Sequence, residues 1–188
     1  ARTSEKKAKA DASIFDAISR LQARLQQREA FEFQLKHIAH SDSLTGVANR
    51  FALDEYIKLL EKQPSQFKKT CLMLIDIDNF KQVNDSLGHI AGDLVIQSVA
   101  ESLKSCMRSS DLLVRYGGDE FLLLVPHIRP GEHVIQRVRE AAASARVEGY
   151  PELELSASVG GVCGVHPLTE AIRQADEKMY QNKAERKN

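Results

Sequence analysis

Asp119 and Glu120 stand side by side in "RYGGDEF", residues 115–121. The stretch lies between two apolar runs, Leu112–Val114 and Phe121–Val125, which together predict a buried hairpin. Gly117 and Gly118 suit its tight turn, and without side chains they let a bulky ligand approach the backbone. A turn alone does not account for two adjacent carboxylates. The residues that give them meaning lie in "TCLMLIDI", 70–77, an apolar run that predicts a buried central strand. That strand ends on Asp76, with Asp78 two residues on, so an extended chain places both on one face. If the hairpin pairs with it, three or four carboxylates converge at one end of a sheet. Left alone they repel, and burial raises their pKa values. A hard divalent cation removes the conflict. Oxygen-only ligation suits magnesium, which takes one or two carboxylates and keeps its other positions for water and phosphate.

The residues after the strand fit the same chemistry. "DIDNFKQVND" opens a helix whose first amides, at Asn79 and Phe80, are placed to cradle phosphate, and Lys81 adds a positive charge. Near the C-terminus "KAERK" offers Lys183, Arg186 and Lys187 as more distant phosphate contacts. Taken singly, "GGDE" reads as a plain hairpin turn and "KAERK" as a solvated helix end. They become parts of a site only together with Asp76.

The elements that must position these groups are legible from periodicity. No Gly or Pro interrupts Ser13 to His40, and Ile14, Ile18, Leu21 and Leu25 follow the 4-3-4 spacing of a coiled-coil seam. Phe31, Leu35 and Ile38 resume the stripe in a shifted phase, and residues 1–10, polar and basic, are expected to fray. One long helix results, read as dimerising or signal-transmitting. Turn and cap residues in "HSDSLTGVANR" (40–50) end it, so the chain divides at 1–40 and 41–188. The second part predicts helices at about 49–62, 93–107, 131–146 and 168–184, a short helical turn at 80–84, and strands at 70–77, within 112–126, and at 153–160. The fold class is α+β: a central sheet with antiparallel pairs, of the split βαβ type, with helices packed around it and a long helix in front.

Composition sets the outer limits. Lys+Arg and Asp+Glu number 26 each, so the net charge is zero, which argues against a nucleic-acid binder. Hydrophobic content of 43% and charged content of 28% are those of a globular protein. Cys71, Cys106 and Cys163 show no metal-ligand spacing; Cys71 and Cys163 lie in apolar runs and read as buried reduced thiols. His37 and His40 lie three apart on the long helix, with no further metal ligand evident. No apolar run is long enough to cross a bilayer, so this segment is read as cytoplasmic and free of membrane contact. The sequence opens without Met, which leaves open an upstream membrane anchor in a longer protein.

Several of these stretches, in the same order, resemble the GGDEF domain of bacterial diguanylate cyclases: "DSLTGVANR", "LIDIDNFKQVNDSLGHIAGD", "RYGGDEF", "SASVGG" and "ADEKMYQNK", spanning about 40–187. The resemblance implies the palm fold of nucleotidyl cyclases and polymerases. It also implies a reaction in which two GTP molecules, one on each domain of a homodimer, become cyclic di-GMP with release of two pyrophosphates. On matching positions, Asp76, the carbonyl of Ile77, Asp119 and Glu120 would hold magnesium, or manganese in its place. Asp119 would accept the proton and Lys81 would stabilise the transition state. Asn84 and Asp93 match the guanine contacts; a carboxylate accepts the N1–H and N2–H₂ donors that adenine lacks. "RSSD" places Arg108 and Asp111 at the family's inhibitory site for product, with Arg137 as a further ligand. Two departures stand out: "ERKN" replaces the usual "SGRN", and the sequence ends where the family commonly has one more strand. The rival reading is a domain that holds GTP or cyclic di-GMP without turnover; a helical dimerisation module with an inert domain is a third.

Overall fold

The computed structural model describes residues 2–63, 68–126 and 132–185, with the side chains of the first helix described from Ile18 onward. The chain forms two compact units, Ala1–Ala39 and His40–Asn188. The first unit is helix α1, Arg2–His40, which starts ahead of the Ser13 expected from the apolar stripe and includes the stretch expected to fray. Within this chain its apolar residues Ile18, Leu21, Leu25, Phe31 and Ile38 stay exposed. A helix of this kind has no core of its own; Arg28 and Glu32, one turn apart, form one of its surface ion pairs at 2.8 Å.

In the second unit the order is α2 (Arg50–Glu61), β1 (Cys71–Ile77), α3 (Phe80–Leu87), α4 (His89–Ser105), β2 (Leu112–Arg115), β3 (Glu120–Val125), α5 (Glu132–Ser144), β4 (Ala157–Cys163) and α6 (Leu168–Glu185). The four strands form one antiparallel sheet in the order β2-β3-β1-β4. The two most apolar runs, β1 and β3, therefore sit in the middle. Asn49 caps α2, its side-chain oxygen accepting from the Ala52 N–H at 3.0 Å.

Both faces of the sheet are covered, which is why β1 is apolar at nearly every position. Met73, Ile75, Ile77, Phe121, Leu123 and Val125 face one core, shared with Val95, Val99 and Leu103 of α4 and Val138 and Ala142 of α5. Leu72, Leu74, Leu122, Leu124 and Val162 face the other, shared with Leu53 and Leu60 of α2 and Ala171, Ala175 and Met179 of α6. The period-2 alternation of β1 and β3 sorts their side chains between the two layers.

Three expectations are corrected. The last strand lies at Ala157–Cys163, not 153–160. The alternation of Leu153 and Leu155 imitates a strand, yet these residues add side chains to the core from backbone outside the sheet. The true strand carries Gly160 and Gly161, a residue type that strand patterning counts against. The helical turn expected at 80–84 is a full helix to Leu87. Cys71 and Cys163 are not reduced thiols: the β1–β4 register sets them directly opposite one another, Cα atoms 4.0 Å apart, and a disulfide joins them. A separation of 92 residues in the chain hid a pairing that only the antiparallel register reveals. Cys106 remains a free, half-buried thiol.

Gly160 sets how closely α6 approaches the sheet. A Cβ at this position would come within 2.0 Å of the Ala175 carbonyl oxygen and 2.3 Å of the Met179 nitrogen, both backbone atoms that cannot swing aside. Gly160→Ala is therefore expected to lower stability by about 1–3 kcal/mol. Urea unfolding midpoints at an unchanged m-value check this; a midpoint equal to wild type would mean that α6 shifts at no cost.

Candidate active site

The site is built where β1 ends between its two neighbours. The register sets Asp76 opposite Glu120 on β3 and opposite Ser158 on β4. One residue on, the Ile77 N–H donates to the Asp119 carbonyl at 3.2 Å. The two acids of the hairpin thus meet the acid of β1 without any loop having to reach across, and Asp76, Asp119 and Glu120 are all half-buried.

Two basic side chains hold this arrangement. Arg115 donates from Nε and Nη2 to the Gly118 carbonyl, at 3.1 and 2.8 Å, and from Nη1 to both oxygens of Asp42, each at 3.2 Å. Asp42 also accepts from the Thr45 N–H and hydroxyl, at 2.9 and 2.7 Å. Burial pushes the Asp42 carboxyl up, but these bonds from Thr45 and Arg115 outweigh it and hold it below its ordinary value. The segment that carries Asp42 is itself laid on β2, with the Ala48 N–H on the Leu113 carbonyl and the Arg115 N–H on the Ala48 carbonyl, at 3.0 and 2.9 Å. Next to it, the Arg50 guanidinium stacks on the Tyr116 ring, 4.6 Å from its centroid.

The second basic group is Lys183, which places its Nζ 2.5 Å from Asp76 Oδ1. Burial works against the ammonium, yet Asp76, Asp78 and Asp119 raise its pKa overall. Asp76 is nonetheless raised too, by burial first and by Asp119 and Asp78, against the pull of Lys183. Glu120 is raised by burial and then by Asp76, Asp119 and Asp176. One ammonium does not balance so many acids: the lysine stays charged, and the carboxylates are held in a field of surplus negative charge.

Asp78 plays a different part from the one its spacing suggests. Ser156 and Ser158 donate their hydroxyls to its two oxygens, at 2.7 and 2.6 Å, and its own N–H donates to the Ser156 carbonyl at 2.9 Å. It ties β1 to β4 and is not a spare ligand. The glycines of the hairpin are likewise not there for their backbone angles, since neither Gly117 nor Gly118 lies in the left-handed region. A Cβ on Gly117 would stand 2.6 Å from a Glu120 carboxylate oxygen, so its bareness makes room for Glu120 itself.

The remaining sequence-named residues sort themselves around this centre. Asn79 adopts the left-handed conformation, φ 58°, and launches α3, so the first amides of that helix, from Phe80 and Lys81, have no acceptor within it. Lys81 is exposed. The Asn84 carboxamide on α3 lies against Gly92 of α4, the residue before the exposed Asp93. Arg108 and Asp111 close a turn on each other: the Asp111 carboxylate accepts from the Arg108 N–H at 2.9 Å, and the Asp111 N–H donates to the Arg108 carbonyl at 3.0 Å. Burial raises the neighbouring Cys106 thiol, while Arg137 pulls it down and Asp111 pushes it up. Arg186 and Lys187 lie outside the described residues.

Among the described residues no three His, Cys, Asp or Glu side chains are already arranged as an ion-holding group. The chemistry of the donors still fits a hard cation: oxygen atoms only, half-buried, with more negative charge than Lys183 offsets. Sequence reasoning missed the Asp42–Arg115 link, the Lys183–Asp76 pair and the two serines. Asp42 reads as an ordinary turn residue, and no local pattern announces a partner 73 or 107 positions away.

A βααββαβ antiparallel sheet with acids at the end of its first strand and at the tip of its hairpin defines a palm-like nucleotidyl-cyclase class of fold. Residues 39–188 match the family described as diguanylate cyclase, GGDEF domain, and the chain belongs to that family. It is 32% identical over 172 residues to diguanylate cyclase DgcM of Escherichia coli K12, covering 87% of this chain and 41% of DgcM. It is 34% identical over 174 residues to the cyclic di-GMP phosphodiesterase NbdA of Pseudomonas aeruginosa, covering 88% of this chain and 22% of NbdA. The chain thus spans less than half the length of these relatives. Among solved structures it resembles the coiled coil and GGDEF domain of DgcB from Caulobacter crescentus in complex with c-di-GMP, with a TM-score of 0.76 at 25% identity over 92% of this chain and 95% of that one. It also resembles diguanylate cyclase SiaD of Pseudomonas aeruginosa, crystallised with its activator SiaC, with a TM-score of 0.74 at 31% identity over 96% of this chain and 72% of that one.

The lowered carboxyl of Asp42 gives the site a pH signature. A folded pKa below the ordinary 3.8 means that the folded state binds fewer protons than the unfolded one. The stabilisation is complete above the unfolded pKa and is lost as the pH falls through the folded one. Asp42→Asn is expected to cost about 1.5–3 kcal/mol near neutral pH. The gap to wild type should close below about pH 4, read from urea midpoints across the acid range. A gap that is the same at every pH would show that the charge of Asp42 contributes nothing.

Proposed function

We propose that this chain is a diguanylate cyclase domain that condenses two GTP molecules into cyclic di-GMP and releases two pyrophosphates. The observation that carries the proposal is Asp76 held opposite Glu120, with Asp119 bonded at the next residue, in surplus negative charge. Asp76, the Ile77 carbonyl, Asp119 and Glu120 would hold magnesium, or manganese in its place. When bound, the ion would lower the pKa of the attacking hydroxyl and neutralise phosphate charge. The rest belongs to the chain. The amides of Asn79 and Phe80, with Lys81, hold the phosphates where α3 begins. Lys183 exchanges its Asp76 contact for phosphate, joined by Arg186 or Lys187. Asp119 accepts the proton of the 3′-hydroxyl, and Lys81 stabilises charge on the α-phosphate as its bond to pyrophosphate breaks.

Asn84 and Asp93 select guanine by pairing with its N1–H and N2–H₂ edge. One such pair and one hairpin per chain serve one GTP, so two chains must face each other, and α1 raises their effective concentration. Arg108 and Asp111, with Arg137 as a further ligand, form the product-binding site through which cyclic di-GMP restrains the reaction. The DgcB structure, named as a complex with c-di-GMP, supports binding of that ligand. Among the described residues no helix is long and apolar enough to cross a membrane, in keeping with a cytoplasmic catalytic domain. The second reading, a binding module without turnover, has one observation in its favour: Lys183 rests on Asp76.

Incubation with GTP and magnesium, with products identified by mass, separates the two. Asp76→Asn or Asp119→Asn should lower cyclic di-GMP formation at least about a hundredfold, some 3 kcal/mol of transition-state stabilisation, with an unchanged circular dichroism spectrum. Near-normal turnover in either folded variant would exclude the metal assignment. Arg108→Ala should weaken cyclic di-GMP binding by about ten- to a hundredfold, measured by calorimetry, and let progress curves run further before they stall. Equal affinity in variant and wild type would reduce "RSSD" to a helix end.

A further inference from the structure

Gly92 lies buried inside α4, one residue ahead of the exposed Asp93. Its φ is not in the left-handed region, so the backbone does not require glycine there. A glycine inside a helix is less stable than alanine, because it gives up more conformational freedom on folding. The reason for its presence is lateral space. A Cβ on Gly92 would stand 2.0 Å from Oδ1 and 3.0 Å from Cγ of Asn84, and 3.2 Å from the edge of the Phe80 ring. The Asn84 carboxamide therefore lies directly on the bare Cα, with Phe80 beside it. The backbone on either side is pinned: the Gly88 N–H donates to the Asn84 carbonyl at 2.9 Å, and the Gly92 N–H to the Gly88 carbonyl at 3.2 Å.

We infer that Gly92 is a positioning residue for base recognition: its missing side chain is the seat that holds the Asn84 carboxamide beside Asp93. The inference rests on the reading of Asn84 and Asp93 as the guanine contacts. Two polar groups that grip one base edge must keep their mutual placement to within about 0.5 Å. The hinge between α3 and α4 is fixed by the Gly88 bonds, so the carboxamide settles in one rotamer because nothing fills the space below it. A methyl group at 92 turns Asn84 away from the base while leaving both helices intact. Stability and recognition then respond in opposite senses, as they do where a residue is kept for function at a cost in folding.

The test is a double-mutant cycle of Gly92→Ala and Asn84→Ala. It is read by calorimetric titration with a GTP analogue methylene-bridged between the α- and β-phosphates, with the matching ATP analogue, and by thermal unfolding. Gly92→Ala should weaken the GTP analogue about tenfold, leave the ATP analogue within about twofold, and give a melting temperature no lower than wild type. In the Asn84→Ala background the same substitution should change GTP-analogue affinity by less than about twofold, since the group it displaces is gone. Equal losses in both backgrounds would overturn the inference, as would wild-type affinity in Gly92→Ala beside a loss in Asn84→Ala; the latter leaves the base assignment standing. Wild-type affinity in Asn84→Ala alone would remove the assignment and the inference with it. If Gly92→Ala is poorly folded, recovery of its stability in the double variant supports the seat, and no recovery overturns it.

Discussion

The register of β1 between β3 and β4 is the constraint on which the rest of this domain depends. It sets Asp76 across from Glu120 on one side and Ser158 on the other, and at its far end it sets Cys71 across from Cys163. A slip of one residue would send every apolar side chain of β1 to the opposite layer and every acid away from its partners. Two separate cores resist such a slip. Met73, Ile75 and Ile77 belong to one and Leu72 and Leu74 to the other, so neither could absorb the exchange without cavities on one side and overpacking on the other. The apolar strand therefore does more than bury area: it gauges where the acids stop.

Gathering carboxylates at the end of such a strand is unfavourable, and the surrounding polar residues divide the load. Two serine hydroxyls donate to the oxygens of Asp78, which leaves it structural. Lys183 lends its charge to Asp76 across the sheet from α6, so the helix held against Gly160 also carries the counter-ion. Arg115 links the carbonyl of Gly118 to Asp42, in the turn that follows α1. Buried polar groups are costly only when unpaired, and here the pairings of Asp78, Lys183 and Asp42 span distant segments. The site is therefore tied to several elements at once, and the hairpin tip is braced from the same segment at which the long helix ends.

Much of this was legible in the sequence, for identifiable reasons. Central strands covered on both faces must be apolar throughout, so β1 and β3 declared themselves. The acids at their ends stood out because a buried strand has no other use for them. The edge strand β4 was misplaced because its glycines serve the close approach of α6 and Ile135, and no propensity scale sees a neighbour that has yet to pack. The Cys71–Cys163 pair, the serines on Asp78 and the Asp42–Arg115 link were not legible, since each depends on register or on contacts far apart in the chain. Lys183 was found for a phosphate role, yet its contact with Asp76 required the geometry of α6 across the sheet.

The glycines show most directly how the chain makes room for close contacts. Gly117, Gly92 and Gly160 each lie where an added Cβ would meet an atom at 2.6 Å or closer, yet what they meet differs. At Gly160 the obstacle is backbone, so the glycine serves the fold, and a side chain there must move a helix. At Gly117 and Gly92 the obstacle is the polar end of a side chain, Glu120 or Asn84, which can rotate away. A methyl group at those two positions thus displaces a side chain and leaves the backbone in place. The chemistry of the obstructing atom, backbone or side chain, separates glycines that hold the architecture from glycines that aim the residues within it.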